Sequence, residues 1–155
     1  MAAMKLHYSG SEHFDSPPEK VWKFVCDPEK VASCLPDVQR LEIIDENNFD
    51  AVVKVGIGPI KGKFKLSMGL YPDRAKQHMV ITLKGKGLGN SVDLTAASDI
   101  VGQAGGTQLD WQGTADIHGP VARLGGKILD GKADELIKHV FADVNQRIKT
   151  SRPSD

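Results

Sequence analysis

The chain has 155 residues, 40% hydrophobic and 26% charged, which suits one globular domain able to bury a core without disulfides. Twenty Lys and Arg balance twenty Asp and Glu, so no overall field favours a nucleic acid or an anionic membrane. Cys26 and Cys34 fit neither a zinc knuckle nor a secreted disulfide scaffold, no run approaches the length of a membrane span, and Met1 to Lys5 lack a signal-peptide pattern. The expectation is a cytoplasmic protein with at most peripheral membrane contact.

Met4, Leu6 and Tyr8 alternate with Lys5, His7 and Ser9, the period of a half-buried strand extending to Phe14. Asp15 or Ser16 is placed to cap a short helix whose first turn holds Pro17 and Pro18, and Asp27-Pro28-Glu29 restarts a second helix that Cys34-Leu35-Pro36 ends. Strands follow in succession. Leu41 and Ile43 flank Glu42; Phe49, Ala51, Val53, Val55 and Ile57 share one face; Phe64, Leu66, Met68 and Leu70 alternate with polar residues. Met79, Ile81 and Leu83, then Val92, Leu94 and Ala96, and finally Leu109 and Trp111 continue the pattern. Lys61, Lys63 and Lys65 recur on one side of their strand and read as a solvated face. Short connections between strands of similar length point to antiparallel neighbours.

From Pro120 the period changes to three or four residues, through Val121, Leu124, Ile128, Leu129, Leu136, Ile137, Val140, Phe141, Val144 and Ile148. This predicts an amphipathic helix of roughly 30 residues. Gly125, Gly126 and Gly131 lie in its first half, where they serve either close packing or a kink, or leave room beneath the helix. The fold class is therefore α+β: a curved antiparallel sheet of about six to seven strands around a long C-terminal helix, with two short helices after the first strand. Residues 1–150 form one domain and 151–155 a polar, frayed tail.

Catalytic patterns are sparse. The five histidines have no metal-binding spacing, no nucleophile elbow is present, and the glycines at 85, 87 and 89 are not followed by the helix that a phosphate loop requires. Tyr8, His78, Asp93 and Asp99 are the ionisable residues that a cavity enzyme would need turned inward. What remains is the apolar face itself: Val53, Val55, Phe64, Leu66, Met68, Ile81, Leu83, Leu94, Leu109 and Trp111 on the sheet, with Leu124, Gly125 and Ile128 facing them from the helix. By periodicity alone this is a core.

Ser16-Pro17-Pro18-Glu19-Lys20-Val21-Trp22, Asp27-Pro28-Glu29-Lys30-Val31-Ala32, Gly58-Pro59-Ile60-Lys61-Gly62-Lys63-Phe64, Gly85-Lys86-Gly87, Gly106-Thr107-Gln108-Leu109 and Gly119-Pro120-Val121-Ala122-Arg123-Leu124-Gly125 occur in that order. The ordered set resembles the carbon monoxide dehydrogenase G-subunit (CoxG) family of the START-like, or SRPBCC, superfamily. The resemblance implies a helix-grip, Bet v 1-like fold enclosing a hydrophobic cavity. It implies binding or carriage of a lipid- or quinone-like molecule, with no cofactor required, as an accessory to a molybdenum-containing CO dehydrogenase. A cavity enzyme of cyclase or dehydratase type, or an assembly protein without a ligand, are the alternatives. Leu35-Pro36-Asp37-Val38 departs from the family's Pro-Gly-Cys, and the sequence stops at Asp155 without the extension that relatives use for membrane attachment. An empty apolar void of about 300 Å³ would cost roughly 7 kcal/mol, the scale of a whole domain's stability, so such a cavity is expected to be occupied, partly hydrated or partly collapsed.

Overall fold

The computed structural model describes residues 3–150; the tail expected at 151–155 lies outside them. β1 (Ala3–Phe14) leads into α1 (Pro18–Val25) and α2 (Pro28–Ser33), followed by β2 (Val38–Ile43), β3 (Asn48–Ile57), β4 (Ile60–Asp73), β5 (His78–Gly87), β6 (Asn90–Gln103) and β7 (Gly106–His118). A 3-10 turn, Pro120–Leu124, then enters α3 (Gly126–Thr150). The strands form one seven-stranded sheet in the order β1-β7-β6-β5-β4-β3-β2, antiparallel throughout.

Cross-strand register puts the apolar residue of each alternating pair on one face. Leu6, Ala115, Leu94, Leu83, Met68 and Phe49 stand side by side across six strands. The next row on that face runs Tyr8, Gly113, Ala96, Ile81, Leu70. Lys61, Lys63 and Lys65 are exposed on the other side.

Three apolar clusters hold the helices to this face. Phe14, Ile100 and Leu109 pack with Val21, Trp22 and Phe24 of α1 and with Val144 and Ile148 of α3. Ala115 and Ile117 pack with Val121 and Ala122 of the 3-10 turn and Leu129 of α3. Phe49, Ala51 and Met68 receive Ala32 of α2. Thr107, fully buried, donates to the Ser16 carbonyl at 2.7 Å and ties β7 to the entrance of α1.

Several local expectations need correction. Neither Asp15 nor Ser16 caps α1; its N-cap is Pro17 and no side chain bonds there, whereas Asp27 caps α2 by accepting from the N–H groups of Glu29 and Lys30. The final helix does not start at Pro120. Gly125 sits at φ 89°, outside the helical region, and separates the 3-10 turn from α3. Asn90, reaching from the start of β6, holds that break: its Oδ1 accepts from the Val121 N–H at 2.7 Å, and its Nδ2 donates to the carbonyls of Gly87 and Leu88. The shift rotates Ile128 outward to 47% exposure, and Leu129 takes the buried position. A Cβ on Gly125, Gly126 or Gly131 would meet nothing within 4 Å, so these glycines do not serve close packing. Gly85 and Gly87 belong to β5; the hairpin turn is Leu88-Gly89, both at positive φ as a two-residue type I′ turn demands.

Candidate functional site

The ten sheet residues expected to face the helix lie on its side of the sheet. Val53, Phe64, Met68 and Leu109 are buried there, and Val55, Leu66, Ile81, Leu83, Leu94 and Trp111 are half-buried. From the other side, Leu124 is half-buried above the β3–β4 turn, its methyl carbons 3.9 and 4.0 Å from where a Cβ on Gly58 would stand. Ile128 points away from the sheet, turned out by the break at Gly125.

The clusters do not cover α3 and the inward face of the sheet continuously. Along α3, Leu129 belongs to one cluster, and Val140, Phe141, Val144 and Ile148 pack into another. Leu136 and Ile137, one turn before Val140 and Phe141 on the same stripe, join none of the three and stay half-exposed. The sheet repeats this interruption. Leu94 and Ala115 belong to one end and Leu109 and Trp111 to the other, and between them lie Ala96 and Gly113, paired with each other and also half-exposed. Both stretches therefore carry apolar surface that the three clusters leave uncovered. A Cβ on Gly113 would have Ala96 at 3.5 Å as its nearest neighbour, an ordinary contact, and its three nearest atoms all belong to Thr95 and Ala96 of the adjacent strand rather than to α3.

Polar groups border this uncovered surface at its β1 side. The Tyr8 hydroxyl donates to Asp130 Oδ1 at 2.6 Å, bridging β1 to the first turns of α3. Partial burial, reinforced by the Asp130 carboxylate, pushes the Tyr8 phenol up to about 12, so it stays a donor through the physiological range. At the far end Trp111 stacks against Phe141 with ring centroids 5.9 Å apart. Its indole Nε1 is buried without a hydrogen-bond partner among the described residues, beside Gly10, where a Cβ would lie 3.1 Å from the ring.

The remaining ionisable candidates face the other way. His78 and Asp99 are direct cross-strand partners, His78 Nδ1 lying 2.8 Å from the Asp99 carboxylate, and Asp93 is exposed between Lys84 and Asp116. Each is one residue out of phase with the inward row. Cys34 is buried and Cys26 half-buried, and desolvation pushes both thiols up to about 11, which makes them poor nucleophiles. Among the described residues no group of three or more His, Cys, Asp or Glu converges as a metal site.

Two surface concavities lie elsewhere. One of about 530 Å³, lined by Trp22, Lys23, Cys26, Asp27, Pro28, Glu29, Ile43, Asp45, Glu46 and Arg74, is a mixed-charge cleft between α1–α2 and the β2–β3 and β4–β5 turns. The other, about 240 Å³, lies between the end of β1 and α3 at Phe14, Lys138 and Asn145. Neither is the uncovered apolar surface. Ala96, Gly113, Leu136 and Ile137 do not stand out in the sequence as a site, because two of them are small and their juxtaposition requires the register of β6 on β7.

Residues 10–149 match the family model described as the G subunit of carbon monoxide dehydrogenase (CoxG). A comparison with curated protein sequences found no match. Among solved structures, a conserved protein from Geobacillus kaustophilus is similar with 27% identity and a TM-score of 0.86, over 94% of this chain and 97% of that one. A START superfamily protein from Mycobacterium smegmatis shares 15% identity with a TM-score of 0.68, over 92% and 97% of the two chains. The Zhui aromatase/cyclase from Streptomyces shares 13% identity with a TM-score of 0.64, over 97% and 98%. The last two show the fold alone.

Proposed function

The chain belongs to the carbon monoxide dehydrogenase G-subunit (CoxG) family, and on that premise we propose that it binds and carries a hydrophobic small molecule, lipid- or quinone-like, in the gap between α3 and the sheet. The observation that carries the proposal is that packing is interrupted on both elements: Ala96 and Gly113 on the sheet and Leu136 and Ile137 on α3 lie outside every cluster and stay half-exposed. Proteins of this fold typically bind hydrophobic ligands, and an apolar cargo would bury surface that the chain itself leaves uncovered. Val53, Val55, Phe64, Leu66, Met68, Ile81, Leu83, Leu94, Leu109, Trp111, Leu124 and Gly125 line or approach this face in the proposal; Ile128 does not. Tyr8 gives its only hydroxyl proton to Asp130, so its oxygen is left to accept from a hydroxyl on the cargo. A cyclase or dehydratase reading retains only Tyr8 of its four candidate residues, since His78, Asp93 and Asp99 lie on the opposite face.

The family supports a second level of the proposal, that the cargo serves a molybdenum-containing CO dehydrogenase and that the work is done in the cytoplasm. No helix of the described residues is long and apolar enough to cross a membrane. Native mass spectrometry of protein purified from two unrelated hosts, followed by thermal-shift titration with quinone and fatty-acid analogues, tests the carrier reading. A co-purifying apolar species and a rising melting temperature are expected. Absence of any apolar species together with no shift for any analogue overturns it. Pull-down from a native host separates a carrier from an assembly protein, because only the latter holds the enzyme with no cargo present.

A further inference from the structure

β2 ends the sheet, and among the described residues no strand pairs with its outer edge. The Ile44 N–H donates to the Asn48 carbonyl at 3.0 Å, so residues 44, 42 and 40 bond inward to β3. By the alternation of an antiparallel ladder, the N–H and C=O groups of Leu41 and Ile43 point outward. Their side chains are uncovered as well: Leu41 is 42% exposed, Ile43 42% and Ile44 51%. An edge with free backbone groups and apolar side chains is a template for another strand.

From the self-complementarity of this edge we infer that β2 pairs with β2 of a second copy of the chain, antiparallel about a two-fold axis through Leu41. That register places Leu41 opposite Leu41 as the pair that exchanges both outward backbone bonds, and Ile43 opposite Gln39. It places Arg40 opposite Glu42 twice, in the close, non-hydrogen-bonded pairs where side chains meet. Among the described residues neither Arg40 nor Glu42 makes an ion pair within its own chain. Glu42 instead faces Asp50 across β2–β3, a like-charge pair that an incoming Arg40 relieves. The irregularity between Val38 and Arg40 shifts the register on that side and breaks the alternation of outward groups, so only a short stretch pairs. The interface is small, and the dimer is weak and reversible. Glu42, Asp45, Glu46 and Asp50 around the edge oppose an anionic membrane as the occupant.

Sedimentation equilibrium of the full chain from about 10 µM to about 1 mM reads the association, with circular dichroism confirming that these exposed substitutions leave the fold intact. A concentration-dependent dimer is expected. Arg40→Glu or Glu42→Arg alone replaces both attractive pairs by repulsive ones and weakens it roughly thirtyfold. The double substitution restores association, and an equimolar mixture of the two single variants forms a mixed dimer. A monomer throughout the range overturns the inference. So does a dimer indifferent to the single swaps, or an edge that binds neutral or anionic vesicles while the protein stays monomeric.

Discussion

Truncating two isoleucines on the same stripe of α3 separates a packed helix from one that stands over a gap. Ile148 is completely buried in the cluster of Phe14, Trp22, Leu109 and Val144. Ile148→Ala removes three carbons at about 0.8 kcal/mol each and leaves a cavity that neighbouring elements only partly close, a loss of about 3–4 kcal/mol. In a domain of this size that lowers the melting temperature by about 10 °C. Ile137 lies about three turns earlier, half-exposed and outside every cluster. Ile137→Ala removes the same atoms from a site where the space already exists, so the cavity contribution vanishes and about 1 kcal/mol or less is lost. Urea and thermal unfolding of delipidated protein, followed by circular dichroism, give both values. Equal losses would mean that α3 is packed at Ile137 and that no room lies beneath it.

Filling the gap acts in the opposite sense: Ala96→Phe is expected to abolish binding of quinone or fatty-acid analogues in thermal-shift titrations while leaving the melting temperature of the empty protein unchanged or higher. Asn90→Ala strands the buried Val121 N–H and releases the break before α3; a loss of about 2–3 kcal/mol in urea unfolding is expected, and less than about 0.5 kcal/mol would show that the turn holds without it. The Asp15 carboxyl is held below its ordinary value of 3.8, first by its hydrogen bond with Lys149 and then by that residue's charge. Its folded value being the lower one, the tie between the end of β1 and the last turn of α3 is complete above pH 3.8 and is lost as pH falls through the depressed value. Amide exchange in the last turn of α3 should therefore quicken in acid below that point in the wild type, whereas Asp15→Asn should show no such step; identical profiles would remove Asp15 as the group responsible.

Period-two alternation is a local property, and it assigns the sheet residues from Val53 to Trp111 to the helix-facing side without knowledge of which strand neighbours which. The helix is harder. Its stripe from Leu129 to Ile148 is plain in the sequence, but where it begins depends on Asn90, a residue of β6 that bonds to Val121 across 31 positions. Reading the helix back to Pro120 therefore turns Ile128 inward on paper, whereas the structure turns it outward. The gap is legible least. Ala96 and Gly113 carry little hydrophobic signal, and their meaning arises only when the β6–β7 hairpin pairs them with each other, beside Ile81 on one side and Tyr8 on the other. Absence of side chains becomes a feature only in three dimensions.

The central claim is that cargo sits at that level of the fold. Methyl-labelled protein titrated with a short-chain ubiquinone, with intermolecular Overhauser contacts recorded from the ligand, tests it most directly. Contacts from the ligand to the methyl groups of Ala96, Leu136 and Ile137 are the predicted result. Contacts confined to outward-facing residues such as Leu88, Val101 and Ile128, with the gap methyls unperturbed, would contradict it.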